Sequence, residues 1–163
     1  MCKLKQIFII LFILVFHSTA QATDRFTISA DGQEVKDNKT QLIWQRCPWR
    51  MVWSVNLCYG PTASPDHQWA LMTATSKGWR IPNIKELASI VDTSHYNPAI
   101  DTLIFPATPS TLFWSSSPVI LDDNDNIAWV VDFKDGRVYE YVRFADYNPS
   151  SYTMVRLVRG GQQ

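Results

Sequence analysis

The chain is poor in the residues on which most catalytic motifs depend. It has 6 glycines and 3 histidines in 163 residues. No glycine falls in a G-x-G-x-x-G or G-x-x-x-x-G-K-[ST] run, which excludes the familiar phosphate-cradling loops. H-E-x-x-H and G-x-S-x-G are absent too. An excess of one charge is also lacking. Lys and Arg total 15 and Asp and Glu total 15, a balance that argues against nucleic acid as a partner. With 3 cysteines and no C-x-x-C spacing, the chain has no zinc-ribbon pattern. No repeat, low-complexity tract or long linker divides it.

The one long apolar run is at the N-terminus. Lys3 and Lys5 precede ten unbroken apolar residues, Ile7 to Phe16, and Ala20-Gln21-Ala22 offers a small-residue cleavage site. These are the three parts of a secretory signal peptide, expected over residues 1–22. The run is short for a bilayer span, so a retained anchor is the lesser alternative. Cys2 precedes the run, the wrong side for lipid attachment. Removing 22 residues leaves 141, expected to form one domain over 23–163, with net charge −2 because two lysines and no acid depart. The expected location is periplasmic or secreted, with no membrane span after cleavage.

Only Cys47 and Cys58 then remain, in a compartment that permits oxidation, and they read as a disulfide. The 12-residue loop it closes is worth about 3 kcal/mol on the chain-entropy view. A metal held by two thiolates alone is the weaker alternative.

Along the mature chain, Asp31-Gly32 and Asp37 to Thr40 read as turns between short strands, and Leu42 to Gln45 as a compact strand. A first helix is expected from about Pro65 to Lys77, capped by Ser64 or Asp66 and ended by Gly78. Pro82 then breaks the chain, Asn83 and Glu86 form a capping box, and Ile84, Leu87, Ala88 and Val91 make one apolar stripe, so a second helix is expected from Asn83 to Val91. Thr93 to Pro109 reads as irregular. Leu112 to Ser115, Ile127 to Phe133, Val138 to Phe144 and Tyr152 to Val158 read as strands, with Ile127, Trp129, Val131 and Phe133 on one side. The predicted architecture is α+β, two short helices packed on a twisted, mostly antiparallel sheet.

Several segments carry a family likeness. They are Trp79-Arg80-Ile81-Pro82-Asn83 with Glu86-Leu87 and Val91-Asp92, Tyr96-Asn97-Pro98-Ala99-Ile100, Phe113-Trp114-Ser115-Ser116-Ser117, Ala128-Trp129-Val130-Val131-Asp132-Phe133, and Val155-Arg156-Leu157-Val158-Arg159. In this order they resemble the C-terminal domain family of Legionella collagen-like protein (Lcl_C). The resemblance implies a C-type lectin-like fold with long irregular loops. It also implies adhesion, since the family's namesake binds sulfated glycosaminoglycans at a host surface. This chain lacks the namesake's Gly-x-y stem and its mature charge is slightly negative. Both features weaken a heparin-like ligand and trimeric avidity.

No residue is expected to be catalytic. His67, at a helix start, and His95, in a polar turn, read as surface or structural. Asp122, Asp123 and Asp125 are weak metal candidates. An EF-hand loop there would need Gly and Glu where Ile127 and Phe133 stand, so the run reads as a solvated turn, and no metal or other cofactor is expected. The ligand-contact candidates are Trp49 and Trp53 in the disulfide loop, with Arg143 and Tyr147. An aromatic cluster that stiffens the loop is the plainer reading of the two tryptophans. Arg137, Arg143, Arg156 and Arg159 are candidates for a basic patch.

The expected function is an exported, non-catalytic, adhesin-like module that recognises a glycan or cell-surface ligand. A periplasmic protein-binding partner, such as an inhibitor or a pilus or envelope subunit, is the alternative. An enzyme of the formylglycine-generating kind, which shares the lectin-like fold, ranks last because no free cysteine pair remains.

Overall fold

The computed structural model describes residues 24–61, 65, 67–73, 78–119, 127–142 and 153–160. The region expected to be a signal peptide, the caps Ser64 and Asp66, and the segments holding Asp122, Asp123, Asp125, Arg143 and Tyr147 lie outside the described residues.

Strands β1 (Phe26–Ile28), β2 (Glu34–Asp37) and β3 (Leu42–Gln45) form an antiparallel meander. Its turns are the ones the sequence marks. Gly32 takes φ +72° between β1 and β2, and the Asp37 carboxylate accepts from the Lys39 N–H at 2.9 Å after β2. Strand β9 (Val158–Gly160) pairs antiparallel with β3 and completes a four-stranded sheet in the order β1-β2-β3-β9. A separate hairpin, β4 (Val52–Ser54) and β5 (Leu57–Tyr59), leaves the body beyond β3. A third sheet holds β6 (Leu112–Pro118), β7 (Ile127–Asp132) and β8 (Arg137–Val142), also antiparallel.

Both expected helices are present, and the second is shorter than its pattern. Helix α1 covers His67–Thr73 and α2 covers Ile84–Ser89. The α2 start is a complete capping box. Glu86 N–H donates to Asn83 Oδ1 at 2.9 Å, and Asn83 N–H donates to Glu86 Oε2 at 2.8 Å. The same Glu86 carboxylate receives both Arg80 Nη atoms at 2.7 Å. The helix ends at Ser89 and Ile90 is its C-cap, so Ile90 turns inward and is buried although it lies off the apolar stripe.

The third sheet is covered on both faces. Phe113, Val131 and Phe133 pack with Leu87 of α2, Trp44 and Phe105 in one cluster. Trp114, Ala128 and Val130 pack with Ala70 of α1 and Val155 in another. This corrects the single stripe expected for β7. Ala128 and Val130 are as buried as Val131 and Phe133, while Trp129 is half-buried. A central strand flanked by helices on either side reads as an apolar run, not as an alternation.

The closing strand also differs from expectation. Among the described residues regular pairing starts at Val158, and Thr153 to Leu157 are not part of a regular strand. Residues 153 to 158 are all buried and share their backbone bonds among several neighbours. Met154 pairs with Leu112 and Trp114, the Val155 carbonyl accepts from Trp49, the Leu157 carbonyl accepts from Gln45, and Val158 exchanges two bonds with Arg80. This segment is the seam between the sheets.

Candidate functional site at the disulfide loop

Cys47 and Cys58 are bonded, with Cα atoms 5.7 Å apart. The bond fixes β5 against the chain leaving β3. Inside it, β4 and β5 join through a two-residue turn, Val55-Asn56, with φ +46° and +67°. Ser54 opposes Leu57 and Trp53 opposes Cys58. The N–H and C=O of Trp53 are bound by one side chain. Gln33 Oε1 accepts from Trp53 N–H at 3.1 Å, and Gln33 Nε2 donates to Trp53 O at 2.6 Å. That carboxamide acts as a one-residue strand partner along β4.

The indole of Trp53 is half-buried and fixed by its neighbours. The Arg46 guanidinium lies 3.9 Å from its ring centroid. A Cβ on Gly32 would stand 2.4 Å from its Cδ1 and Nε1, so only glycine permits this approach. Arg46 itself is nearly buried and donates to the carbonyls of Leu103 at 2.8 Å and Ile104 at 3.1 Å. Burial pushes its pKa down from the ordinary arginine value. Trp49 is also half-buried, edge-on to Trp69 with centroids 5.0 Å apart, and its backbone N–H donates to Val155 O. Both tryptophans therefore stiffen the loop and still leave part of each ring in solvent.

Arg156 is wholly buried beneath the loop. Its Nη1 donates to the carbonyls of Gln45 (2.9 Å) and Arg46, and its Nη2 donates to Thr108 Oγ1 at 2.7 Å. Burial pushes its pKa down to about 9, so it remains a cation at neutral pH. Neutral carbonyls and a hydroxyl carry that charge, which ties the C-terminal end of β3 to the Thr108 loop.

A cleft of about 200 Å³ opens between the first sheet and the disulfide hairpin. Its floor is the cross-strand pair Glu34 and Gln45, and its walls include Met51, Val52 and Trp79. Glu34 Oε2 receives Arg159 Nη2 at 2.6 Å, and the Arg159 guanidinium lies 4.7 Å from the Trp79 ring. The Gln45 carboxamide makes no hydrogen bond among the described residues. An indole, a carboxylate with one oxygen uncommitted and an unengaged amide therefore meet in one small concavity.

Of the residues singled out from sequence, Cys47 lines the cleft and Cys58 is bonded to it, while Trp49, against Trp69, and Trp53, against Arg46, belong to the disulfide loop and are not among the residues lining the cleft. The basic patch does not form among the described residues. Arg156 is buried, Arg137 lies 3.3 Å from Asp135, and Arg159 is held by Glu34. His67 is fully buried, with Nε2 2.7 Å from the Ser115 carbonyl and its ring against Trp114, and it is structural. His95 is exposed beside Asp92 at 3.0 Å. No group of three or more His, Cys, Asp or Glu able to hold a metal occurs among the described residues.

Gln33, Glu34, Gln45 and Arg46 were not singled out from sequence. The signal for Gln45 was present. In Leu42-Ile43-Trp44-Gln45, Trp44 points to the core, and the pleat turns Gln45 to the other face. What it faces depends on a hairpin whose placement no local pattern encodes.

The fold and loop together define a disulfide-braced α+β domain with its concave polar site at the loop. The family model described as the Lcl C-terminal domain matches residues 33–159. That is well over half of the 163 residues, and the chain belongs to the Lcl_C family. No curated protein and no solved structure matches the chain, so the C-type lectin-like fold rests on the resemblance.

Proposed function

We propose that the protein is an exported, non-catalytic binding module that recognises a glycan through the cleft at its disulfide loop. The observation that carries this reading is the meeting of Trp79, Glu34 and Gln45 in one concavity braced by the Cys47–Cys58 bond. Sugars present an apolar C–H face and a rim of hydroxyls. An indole matches the first, and a carboxylate with an unengaged amide matches the second. The disulfide supports an oxidising compartment, and no helix among the described residues is long and apolar enough to cross a membrane. The cleft's charge favours a neutral or amino sugar over a sulfated one, because Glu34 is its carboxylate and Arg159 is already bound. A glycan array probed with the exported protein tests this. Binding to neutral or amino-sugar glycans supports it. Capture of a specific envelope protein, with no glycan signal, supports the protein-partner alternative instead.

A further inference from the structure

The β4–β5 hairpin has an outward face that is largely uncovered among the described residues, with Val52 also at the rim of the cleft. Residues alternate along it. Trp53 and Cys58 turn toward the body, while Val52, Leu57 and Tyr59 are 57%, 58% and 51% exposed. Val52 sits opposite Tyr59, and Leu57 follows a turn whose first residue, Val55, is 83% exposed. Four large apolar side chains thus project from eight consecutive residues. The turn is unusual as well. Both its residues have positive φ, a geometry that Asn-Gly or Gly-Gly fills without strain, and here a β-branched valine takes the first place. An exposed, strained valine at the tip of a disulfide-braced hairpin is not explained by folding.

We infer that this tip inserts into the interface of a lipid bilayer. The charge pattern favours a lipid surface over another occupant. From Met51 to Pro65 the sequence holds no charged side chain, and Arg50 stands at its beginning, exposed. An uncharged aliphatic tip with an aromatic residue and an arginine at its base matches the layered polarity of a bilayer edge. The acids on this side of the fold, Asp31 and Glu34, flank the residues that touch Trp53, on the inward side of the hairpin, and both are engaged.

Two other occupants fit less well. On the β4 edge an added peptide strand would need the outward N–H and C=O of Trp53, and Gln33 holds both. That same pairing satisfies the backbone polarity of the β4 edge near an apolar phase. A second copy of the chain would need roughly 20–30 residues a side for a standard interface, several times what the tip offers. Shallow insertion needs only a few side chains. With the glycan cleft beside Val52, insertion would hold that cleft at a membrane surface, but the lipid contact stands independently of the sugar reading.

Sedimentation with protein-free, glycan-free vesicles of phosphatidylcholine, and of phosphatidylcholine with phosphatidylglycerol, tests the proposal. The wild type, Val55→Asp/Leu57→Asp and Val55→Gly are compared with the same N-terminus, so any contribution from that end cancels. The wild type is expected to sediment with both vesicles, somewhat more with the anionic one. The double aspartate variant should lose about tenfold in partition. Val55→Gly should also bind more weakly while melting no lower than the wild type, because it relieves the turn. Absence of wild-type binding would overturn the proposal. So would equal binding by all three proteins. Capture of all three by one purified envelope protein, without vesicle binding, would also overturn it.

Discussion

The guanidinium of Arg46 lies 3.9 Å from the ring centroid of Trp53, and the two residues sit on opposite sides of the Cys47 bridge residue in sequence. Arg46 is anchored to the Leu103–Ile104 carbonyls, and Trp53 to Gln33 and Gly32. The contact therefore joins three distant segments beside the disulfide. It converts a flexible-looking loop into a fixed wall.

Gly32 is the most sensitive position of that wall. It has φ +72°, and any Cβ would fall 2.4 Å from the Trp53 indole. Gly32→Ala should destabilise by about 1–3 kcal/mol through overpacking and backbone strain. Denaturant melts followed by tryptophan fluorescence will show the midpoint fall and the native emission shift. An unchanged midpoint would mean that the indole is not held there.

The disulfide should be complete in the exported protein. Thiol labelling of the denatured, unreduced protein should detect neither Cys47 nor Cys58. Replacing both with serine should cost about 3 kcal/mol, the entropy of a loop of that length. Two labelled thiols would refute the assignment.

Helix α2 carries a graded prediction. Asn83→Ala removes the cap and should cost about 1 kcal/mol. Leu87→Ala opens a fully buried site and should cost about 2–5 kcal/mol. Equal, negligible losses in urea melts would contradict the packing of α2 on the third sheet.

Two carboxylates make stability depend on acid. Burial raises the pKa of Glu86, but the bonds from Arg80 and the Asn83 backbone outweigh it and hold it below the ordinary value. Asp37 behaves alike, with burial overcome by Arg25 and the Lys39 N–H. A carboxylate whose folded pKa lies below its unfolded one adds stability above the unfolded value, and loses it as pH falls through the folded value. Melting temperature should therefore be flat from neutral pH to about 5 and fall below about 4. Glu86→Gln should flatten that fall in part. An unaltered acid limb in Glu86→Gln would remove Glu86 from the account.

The parts of this fold legible in sequence are those specified by neighbours along the chain. The Asn83–Glu86 box, the Asp31-Gly32 and Asp37 turns, the β7–β8 hairpin and the cysteine pairing all rest on short-range chemistry. The parts not legible depend on which surface meets which. Arg156 looked like a candidate for an exposed basic patch, and only the seam segment's path places it inside, among carbonyls. Trp129 looked like a core residue by alternation, yet the second cluster claims Ala128 and Val130 instead. The cleft was hidden for the same reason. Gln45 and Glu34 become a site only when the hairpin, fixed by Gln33 and the disulfide, stands over them.

Gln45→Ala is the most direct test of the proposed site, because its carboxamide is uncommitted and its loss should leave the melt unchanged within about 0.5 kcal/mol. Calorimetric titration with the best glycan from an array should show affinity at least about tenfold weaker for Gln45→Ala than for wild type, with the same melting temperature. Equal affinity for the two proteins, with both folded, would place the ligand elsewhere and contradict the account.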